Sequence, residues 1–167
     1  MNNFRPKVNF PKTGIEVAAD IIGIGALLLS LVFTLLNWGG IPQEIPAHFD
    51  FEGNVDRYGA KVELFILPII AVALLILMQL VEKKPWLYNY PDRLNEENIV
   101  RFYTEGRKMM NFTKNLVNIL FASISVQSVR IALGDIDSLS SGLLIGIIVA
   151  MVIVIFYGMI RMMKIKE

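Results

Sequence analysis

Residues 21–36 read "IIGIGALLLSLVFTLL", a run of apolar and small residues without a charged side chain. A helix needs about 20 such residues to cross the roughly 30 Å hydrocarbon core of a bilayer. Extended to its apolar limits, this run reaches that length, and three more segments of the same kind follow it. The predicted spans are 15–38, 62–81, 112–133 and 142–163.

The composition agrees with this pattern, because 54% of the 167 residues are hydrophobic. We therefore predict an all-α integral membrane protein with four transmembrane helices, and the lipid bilayer is its first expected partner. A net charge of +1 without a long basic run argues against nucleic-acid binding. The absence of cysteine from the sequence excludes disulfides and thiolate metal sites, and we expect no cofactor.

The spans divide the chain into segments with different roles. We expect an N-terminal tail at 1–14, a two-span unit at 15–81 with an outer loop at 39–61, a connector at 82–111, the third and fourth spans at 112–163, and a tail at 164–167. The first apolar run is longer than the core of a signal peptide, so we expect it to be retained.

Basic residues are concentrated in the two tails and the connector, which predicts the orientation of the chain. The outer loop has only Arg57 and Lys61, and "DIDSLSS" at 135–141 has none. Since short cytoplasmic loops are the ones enriched in Lys and Arg, both termini should lie on the cytoplasmic side of a bacterial inner membrane. Trp38, Trp86 and two tyrosines near the span ends fit interfacial anchors.

The connector carries an amphipathic pattern between residues 95 and 110, "NEENIVRFYTEGRKMM". Asn95 is placed to cap a helix, and one side of that helix would be apolar. Its apolar residues are Ile99, Phe102, Tyr103 and Met110. Either this is a cytoplasmic connector helix on the membrane surface, or it continues into the third span.

The outer loop contains "IPAHFDFEGNVDRYGAK", residues 45–61, with the single histidine of the chain. Side chains alternate here: Ala47, Phe49 and Phe51 fall on one side of an extended chain, and His48, Asp50 and Glu52 on the other. Gly53 and Asn54 supply a turn. The pattern predicts a strand and turn, or a small hairpin, with both phenylalanines facing the membrane.

The polar side of this loop has two interpretations. His48, Asp50 and Glu52 could bind a divalent cation, because imidazole and carboxylates are metal ligands. Alternatively, His48 hydrogen-bonds within the loop while the acids are solvated. We favour the second, because zinc sites usually recruit more nitrogen or sulfur ligands. No nucleophile stands at a recognisable spacing from His48, so we predict that the protein is not an enzyme.

The same stretch resembles a bacterial membrane family known as domain of unknown function 1648, whose hallmark is an Ile-Pro-x-His-Phe segment followed by glycine, aspartate and lysine. The matching positions here are Ile45, Pro46, His48, Phe49, Gly53, Asp56, Tyr58, Gly59 and Lys61. The connector is similar to a subgroup of that family at Asn89, Tyr90, Pro91, Glu97 and Asn98. The resemblance implies a distant relation to the SdpI-like immunity proteins, which protect bacteria from a secreted toxin.

Polar residues within the spans are the second group of candidates, since ionisable groups in a membrane face protein or water. The candidates are Glu16, Asp20, Lys114, Asn118, Gln127 and Arg130. We expect the first and third spans to pack together, with Asp20 or Glu16 near Lys114. Arg130 should reach acids of the outer loop or the carboxylates Asp135 and Asp137. These residues form either a conduction path or hydrogen bonds between helices; the second is the simpler interpretation.

Three functions remain open from the sequence. The outer loop recognises an extracellular ligand, such as a peptide, in immunity or sensing; the protein is a structural subunit that binds a membrane protein partner; or it is a small transport component. The resemblance favours the first. The fourth span also places Gly142, Gly146 and Ala150 on one small-residue face, which serves either helix packing within the bundle or dimerisation; we favour packing.

Overall fold

The computed structural model describes residues 5–8 and 10–166. Within this part of the chain, four helices are long and apolar enough to cross a membrane. They are α1 (Gly14–Asn37), α2 (Ile66–Glu82, preceded by a 3-10 turn at Lys61–Phe65), α3 (Ile99–Ala132) and α4 (Ser141–Met163). Two strands, β1 (Glu44–Phe49) and β2 (Val55–Ala60), lie between α1 and α2. The four predicted spans are confirmed as such helices.

Helix α3 is the centre of the bundle, because α1, α2 and α4 each pack along it. The expected packing of the first span on the third is therefore present. We call the end of the bundle with β1 and β2 the hairpin end, and the opposite end, where α1 begins and α4 finishes, the terminal end. Helices α1 and α3 both run from the terminal end to the hairpin end, while α2 and α4 run back.

No break in the helix marks the predicted boundary between a connector and a third span at residue 112. Helix α3 is a single helix of 34 residues, about 51 Å long at 1.5 Å per residue. That exceeds the roughly 30 Å core of a bilayer. Polar residues in its first turns lower the hydropathy there, but they do not interrupt the helix. The alternative that the amphipathic segment continues into the span is the one the structure has.

The first turns of α3 are covered by the chain itself at the terminal end. A core cluster forms there from Tyr90, Ile99, Phe102, Tyr103 and Ile165, with Trp86 and Tyr88 packed against it. The Tyr90 hydroxyl donates to the Pro85 carbonyl at 2.9 Å, and burial raises the pKa of Tyr90. The apolar side of the predicted connector helix is thus a small protein core.

The helix also begins later than predicted. Asn95 does not cap α3: its Oδ1 accepts hydrogen bonds from the backbone N–H groups of Glu97, at 3.0 Å, and Asn98, at 3.1 Å. Asn98 is the residue before the first helical position, Ile99. A turn formed by Asn95 therefore precedes the helix, and the capping position is Asn98, three residues after Asn95.

Strands β1 and β2 form the antiparallel hairpin that the turn residues predicted. Irregularities on either side of His48 break the pairing register, so simple alternation ends there. Phe51 lies beyond β1 in the turn and is 106% exposed, and Phe49 is half-buried. Phe51 therefore lies outside the strand, and the expectation that both phenylalanines face the membrane stays a prediction.

Helix α4 packs on α3 without the predicted small-residue face. A Cβ atom at Gly142 or Gly146 would meet no described atom within 4 Å. Gly158 makes the close approach instead, because its Cβ would lie 3.0 Å from Met109 Sδ. Among the glycines of α4, the one in close contact with α3 is therefore near the terminal end.

Candidate functional site

The hairpin is fixed to α1 by a buried lysine. Lys61 is 8% exposed, and its Nζ donates to the carbonyl oxygens of Ile41, at 2.9 Å, and Trp38. It also lies 4.3 Å from the centre of the Trp38 ring. Because the last carbonyls of a helix carry partial negative charge, the ammonium group stabilises the end of α1. Lys61 is therefore a structural residue of the hairpin, and its partners are backbone atoms.

The other end of the hairpin is fixed to the loop between α3 and α4. The Leu139 N–H donates to the Gly53 carbonyl at 3.0 Å, and the Ser141 hydroxyl donates to the Glu52 carbonyl at 2.7 Å. Gly53 has φ +90°, a conformation that suits glycine. The hairpin therefore spans the bundle from α1 to α4.

Asp50 shapes the turn that makes this contact. Its Oδ1 accepts hydrogen bonds from the backbone N–H groups of Asn54, at 2.8 Å, and Glu52, at 2.9 Å. These bonds, the one from Asn54 first, lower the pKa of Asp50. The carboxylate is thus a turn-forming group.

Beneath the hairpin lies a cavity of about 320 Å³, which we call the hairpin cavity. It is bounded by β1, the beginning of α2, the hairpin end of α3 and Leu139. Its walls are mostly apolar, with side chains such as Ile45, Phe49 and Leu67. Two serines of α3, Ser125 and Ser128, lie on its inner side. Such a concave, mainly apolar space with a few polar groups is typical of ligand sites.

Ser125 is the polar group of most interest in this cavity. The residue is 3% exposed, and its Oγ has no hydrogen-bond partner among the described residues. An unpaired buried hydroxyl costs about 1–3 kcal/mol. A ligand with one hydrogen-bonding group would remove that cost, so Ser125 is a candidate anchor. Ser125 is not among the candidates that the sequence indicates, because the cavity forms from segments that are distant in sequence.

The rim of the hairpin cavity is charged. Arg57 Nη2 donates to Glu63 Oε2 at 2.8 Å, and this contact raises the pKa of Arg57. His48 lies beside the cavity, and its Nδ1 is 2.7 Å from Asp56 Oδ1. Both pairs are partly exposed. These two pairs can orient the polar part of a ligand at the rim of the hairpin cavity, while the apolar part of the ligand lies inside the cavity.

The weak metal candidate is not assembled in this hairpin. His48 pairs with Asp56, Asp50 binds turn amides, and Glu52 Oε2 accepts from Asn54 Nδ2 at 3.3 Å. In residues 5–8 and 10–166 no group of three or more histidine or acidic side chains is arranged to hold a metal ion. Of the remaining loop candidates, Pro46 is buried opposite an exposed Tyr58 across the strand pair.

A second constellation lies at the terminal end, between α1, α2 and α3. Lys114 Nζ is 2.8 Å from Asp20 Oδ1, the contact expected from the sequence, and 2.5 Å from Glu82 Oε2. Lys12 Nζ is 2.5 Å from both Asp20 Oδ2 and Glu82 Oε1. Burial alone would lower the pKa of Lys12, but hydrogen bonds to the two acids raise it. Asn111 also donates to both carboxylates.

Glu16 pairs with Arg107 rather than with Lys114. The guanidinium donates to both carboxylate oxygens, at 2.9 and 3.0 Å, and to the backbone carbonyls of Phe10 and Pro11. Bidentate pairing of this kind is strong and directional. With it, the charged cluster is complete: Lys12, Glu16, Asp20, Glu82, Arg107 and Lys114, three cations and three carboxylates.

Sequence reasoning missed half of this cluster. Lys12 was placed in the tail, and Glu82 and Arg107 in the connector, where charge needs no explanation. The signal that could have identified these residues is the helical spacing of polar residues on both sides of residue 112. Positions 107, 111, 114, 115 and 118 form one continuous stripe.

The other intramembrane candidates are separated from these groups. Gln127 accepts from the Ser140 N–H at 2.6 Å and so ties α3 to the start of α4. Asn118 is 1% exposed, and neither polar atom of its amide has a partner in the described chain. Arg130 is exposed and, among described residues, has no carboxylate within 4 Å. The expectation that Arg130 lies within reach of the loop acids or of Asp135 and Asp137 stays a prediction, although Arg130 forms no ion pair among the described residues; the Asp135 N–H donates to the Arg130 carbonyl at 2.9 Å.

Comparison with known proteins identifies relatives for part of the chain. An uncharacterized protein of Archaeoglobus fulgidus is 31% identical over 87 residues, which cover 51% of this chain and 48% of that protein. The chain thus matches about half the length of this relative. No solved structure matches the chain. Residues 25–72, from the middle of α1 through the hairpin into α2, match the family model described as "Domain of unknown function (DUF1648)", which confirms the family predicted for this segment.

Proposed function

We propose that this chain is a non-enzymatic protein of a bacterial cytoplasmic membrane that recognises an extracytoplasmic ligand in the hairpin cavity. Both termini are cytoplasmic in this proposal, so the hairpin faces outward. The observation that carries it is the cavity itself, with a buried and unpaired Ser125 hydroxyl on its inner side.

The lining defines the chemistry of the ligand. Apolar walls favour an apolar body, and the Ser125 hydroxyl favours one uncharged hydrogen-bonding group. The cavity volume of about 320 Å³ suits one or two large side chains or a molecule of similar size. The ion pair between Arg57 and Glu63 adds no net charge to the rim, so a strongly charged ligand gains little from that pair.

An apolar peptide segment is the kind of ligand that fits these features. Recognition of such a peptide would serve immunity or sensing, which is what the likeness to SdpI-like proteins implies. The support for this function is the geometry of the hairpin cavity. A structural or partner-binding subunit would use the hairpin without the cavity, so occupation of the cavity distinguishes the two.

The test uses an uncharged probe, acetyl-Leu-Val-Phe-amide, added to the purified full chain in detergent. A probe that binds only the folded state stabilises it by mass action and so raises the thermal midpoint. At 100 times its Kd, the probe adds about 2.7 kcal/mol to the free energy of unfolding. We expect the probe to stabilise the wild type and to have no effect on Ser125→Leu, which removes the hydroxyl and fills the space.

Ser123→Leu is the matched control. Ser123 is two residues away but lines a groove between α1 and α3 instead of the hairpin cavity. This variant should keep the response to the probe. Equal responses in wild type, Ser125→Leu and Ser123→Leu, or no response in any of them, would refute binding of an apolar peptide in the cavity.

A further inference from the structure

Buried polar atoms without partners mark a line through the centre of the bundle. In the described chain these atoms include Asn115 Oδ1, both amide atoms of Asn118, and Ser125 Oγ. The three residues are 1–3% exposed and share one stripe of α3. Leaving a polar group unpaired in an apolar environment is costly, and the usual remedy in proteins is an internal water molecule.

A cavity lies at each end of this line. At the hairpin end, the hairpin cavity reaches Ser125. At the terminal end, a smaller cavity of about 70 Å³ is lined by Lys12, Glu82 and Arg107 of the charged cluster. Asn115 continues from that cluster, since its amide donates to Asp20 Oδ1 at 2.8 Å. The hairpin cavity thus reaches one end of the line at Ser125, and the charged cluster contacts the other end at Asn115.

The apolar layer between these two ends is thin. Asn118 and Ser125 are about 10 Å apart along α3 at 1.5 Å per residue, compared with roughly 30 Å for a bilayer core. Ala122 is the residue of the stripe between them, and it is 5% exposed. Opposite, α1 contributes Ser30, which lines the same groove as Ala122, and the Ser30 hydroxyl is already bonded to the Leu27 carbonyl.

Helix α1 packs directly on α3 beside this line, so protein rather than lipid surrounds it. A Cβ atom at Gly23 would lie 2.5 Å from Asn115 Oδ1, so the two helices are in direct contact at this depth. The amides consequently face the interior of the bundle. Polar groups that a bundle retains in its interior often mark ion or proton routes.

We propose that this line, Asn115, Asn118, Ala122 and Ser125, is a hydrated seam that carries protons between the hairpin cavity and the charged cluster. Water molecules pair with the amides of Asn115 and Asn118 and with the Ser125 hydroxyl. Ala122 is the gate, because its layer holds no free polar atom among the described side chains. Each proton moves along hydrogen-bonded water, so the reaction needs no redox partner.

The charged groups that face the terminal end of the seam balance one another. Lys12 precedes α1, Glu16 and Asp20 lie on α1, Glu82 on α2, and Arg107 and Lys114 on α3. A proton arriving there meets carboxylates that already accept several hydrogen bonds. Asp20, with its side chain 19% exposed, is the acid through which the seam would exchange protons with solvent.

The first experiment measures hydration by thiol labelling. The chain has no cysteine, so single substitutions need no altered background. The reagent is a membrane-impermeant methanethiosulfonate, supplied on both sides of the proteoliposome membrane. We expect it to react with Asn118→Cys and with Ser125→Cys. Ile148→Cys, at a 46% exposed position on the lipid-facing side of α4, should remain unlabelled.

The second experiment measures proton flux into proteoliposomes with an internal pH dye under a potassium diffusion potential. We expect the wild type to carry more proton flux than protein-free vesicles. Ala122→Ser, which adds a hydroxyl to the apolar layer, should increase the flux, and Ala122→Leu should abolish it. Ala150→Leu on α4 is the matched control and should conduct like the wild type. An unlabelled Asn118→Cys, or wild-type and Ala122→Ser fluxes equal to those of empty vesicles, would overturn the proposal.

Discussion

The Leu139 N–H donates a 3.0 Å hydrogen bond to the carbonyl oxygen of Gly53, and this contact joins the tip of the hairpin to the loop between α3 and α4. Gly53 is buried, although the turn around it is exposed. A side chain at this position would therefore meet the loop. The contact closes the hairpin cavity on the side of Leu139, which is one of its lining residues.

We expect Gly53→Ala to release the tip from this loop. A Cβ atom would lie 2.5 Å from the Leu139 carbonyl oxygen, and φ is +90°. The conformation alone costs about 1–2 kcal/mol for alanine, and the clash adds to it. Gly134→Ala is the control, because Gly134 has φ +81° but no described atom within 4 Å. Thermal midpoints in detergent should fall further for Gly53→Ala; equal falls would show that the docking contributes nothing.

Lys61→Met should detach the hairpin from the end of α1. The substitution keeps much of the apolar side chain but removes the charge that holds the Trp38 and Ile41 carbonyls. A hydrogen bond from a charged donor contributes about 1.5–3 kcal/mol, so a loss of that order in the free energy of unfolding is expected. Lys83→Met, at an exposed position, should change stability little. A Lys61→Met variant as stable as Lys83→Met would contradict this role.

The sequence predicted the features that local pattern determines. Four apolar runs predicted four helices, and Gly53 with Asn54 predicted the hairpin turn. The sequence leaves the length of α3 open, because hydropathy falls in its first turns, where Tyr90 and Phe102 provide a protein core in place of lipid. The hairpin cavity was missed because Ser125 and Phe49 are far apart in sequence and meet only through tertiary packing.

Lys114→Met should be strongly destabilising. Its ammonium group lies between Asp20 and Glu82 and is fully buried, so its loss leaves two carboxylates with only Lys12 as a cation. Breaking a buried ion pair on one side costs about 3–5 kcal/mol. The control is Arg161→Gln, which removes the pair of Arg161 with Glu105; the Arg161 side chain is 51% exposed, and little change is expected. Unfolding in increasing sodium dodecyl sulfate, followed by circular dichroism, measures both.

Acid should loosen the hairpin turn through Asp50. Its folded-state pKa is lowered, first by the hydrogen bond from the Asn54 N–H, so the carboxylate stabilises the fold above its unfolded pKa of about 3.9. That contribution is lost as the pH falls from about 4 through the folded pKa. Asp50→Asn should therefore narrow the difference in thermal midpoint between pH 7 and pH 3. Asp137 is an exposed acid of the loop between α3 and α4, and Asp137→Asn should leave this difference in thermal midpoint unchanged. If both substitutions narrowed the difference equally, the hydrogen bonds of Asp50 in the turn would not be its cause.

Single cysteines at the two ends of the bundle would determine its orientation. Phe51→Cys lies at the hairpin end, where the native side chain is 106% exposed, and Leu87→Cys lies at the terminal end, where it is 65% exposed. If both termini are cytoplasmic, an impermeant maleimide should label the first in intact cells and the second only after permeabilisation. The reverse pattern would place the hairpin cavity in the cytoplasm, and its ligand would then be intracellular. Labelling of both in intact cells would contradict a single orientation, because the two positions lie at opposite ends of helices long enough to cross the membrane.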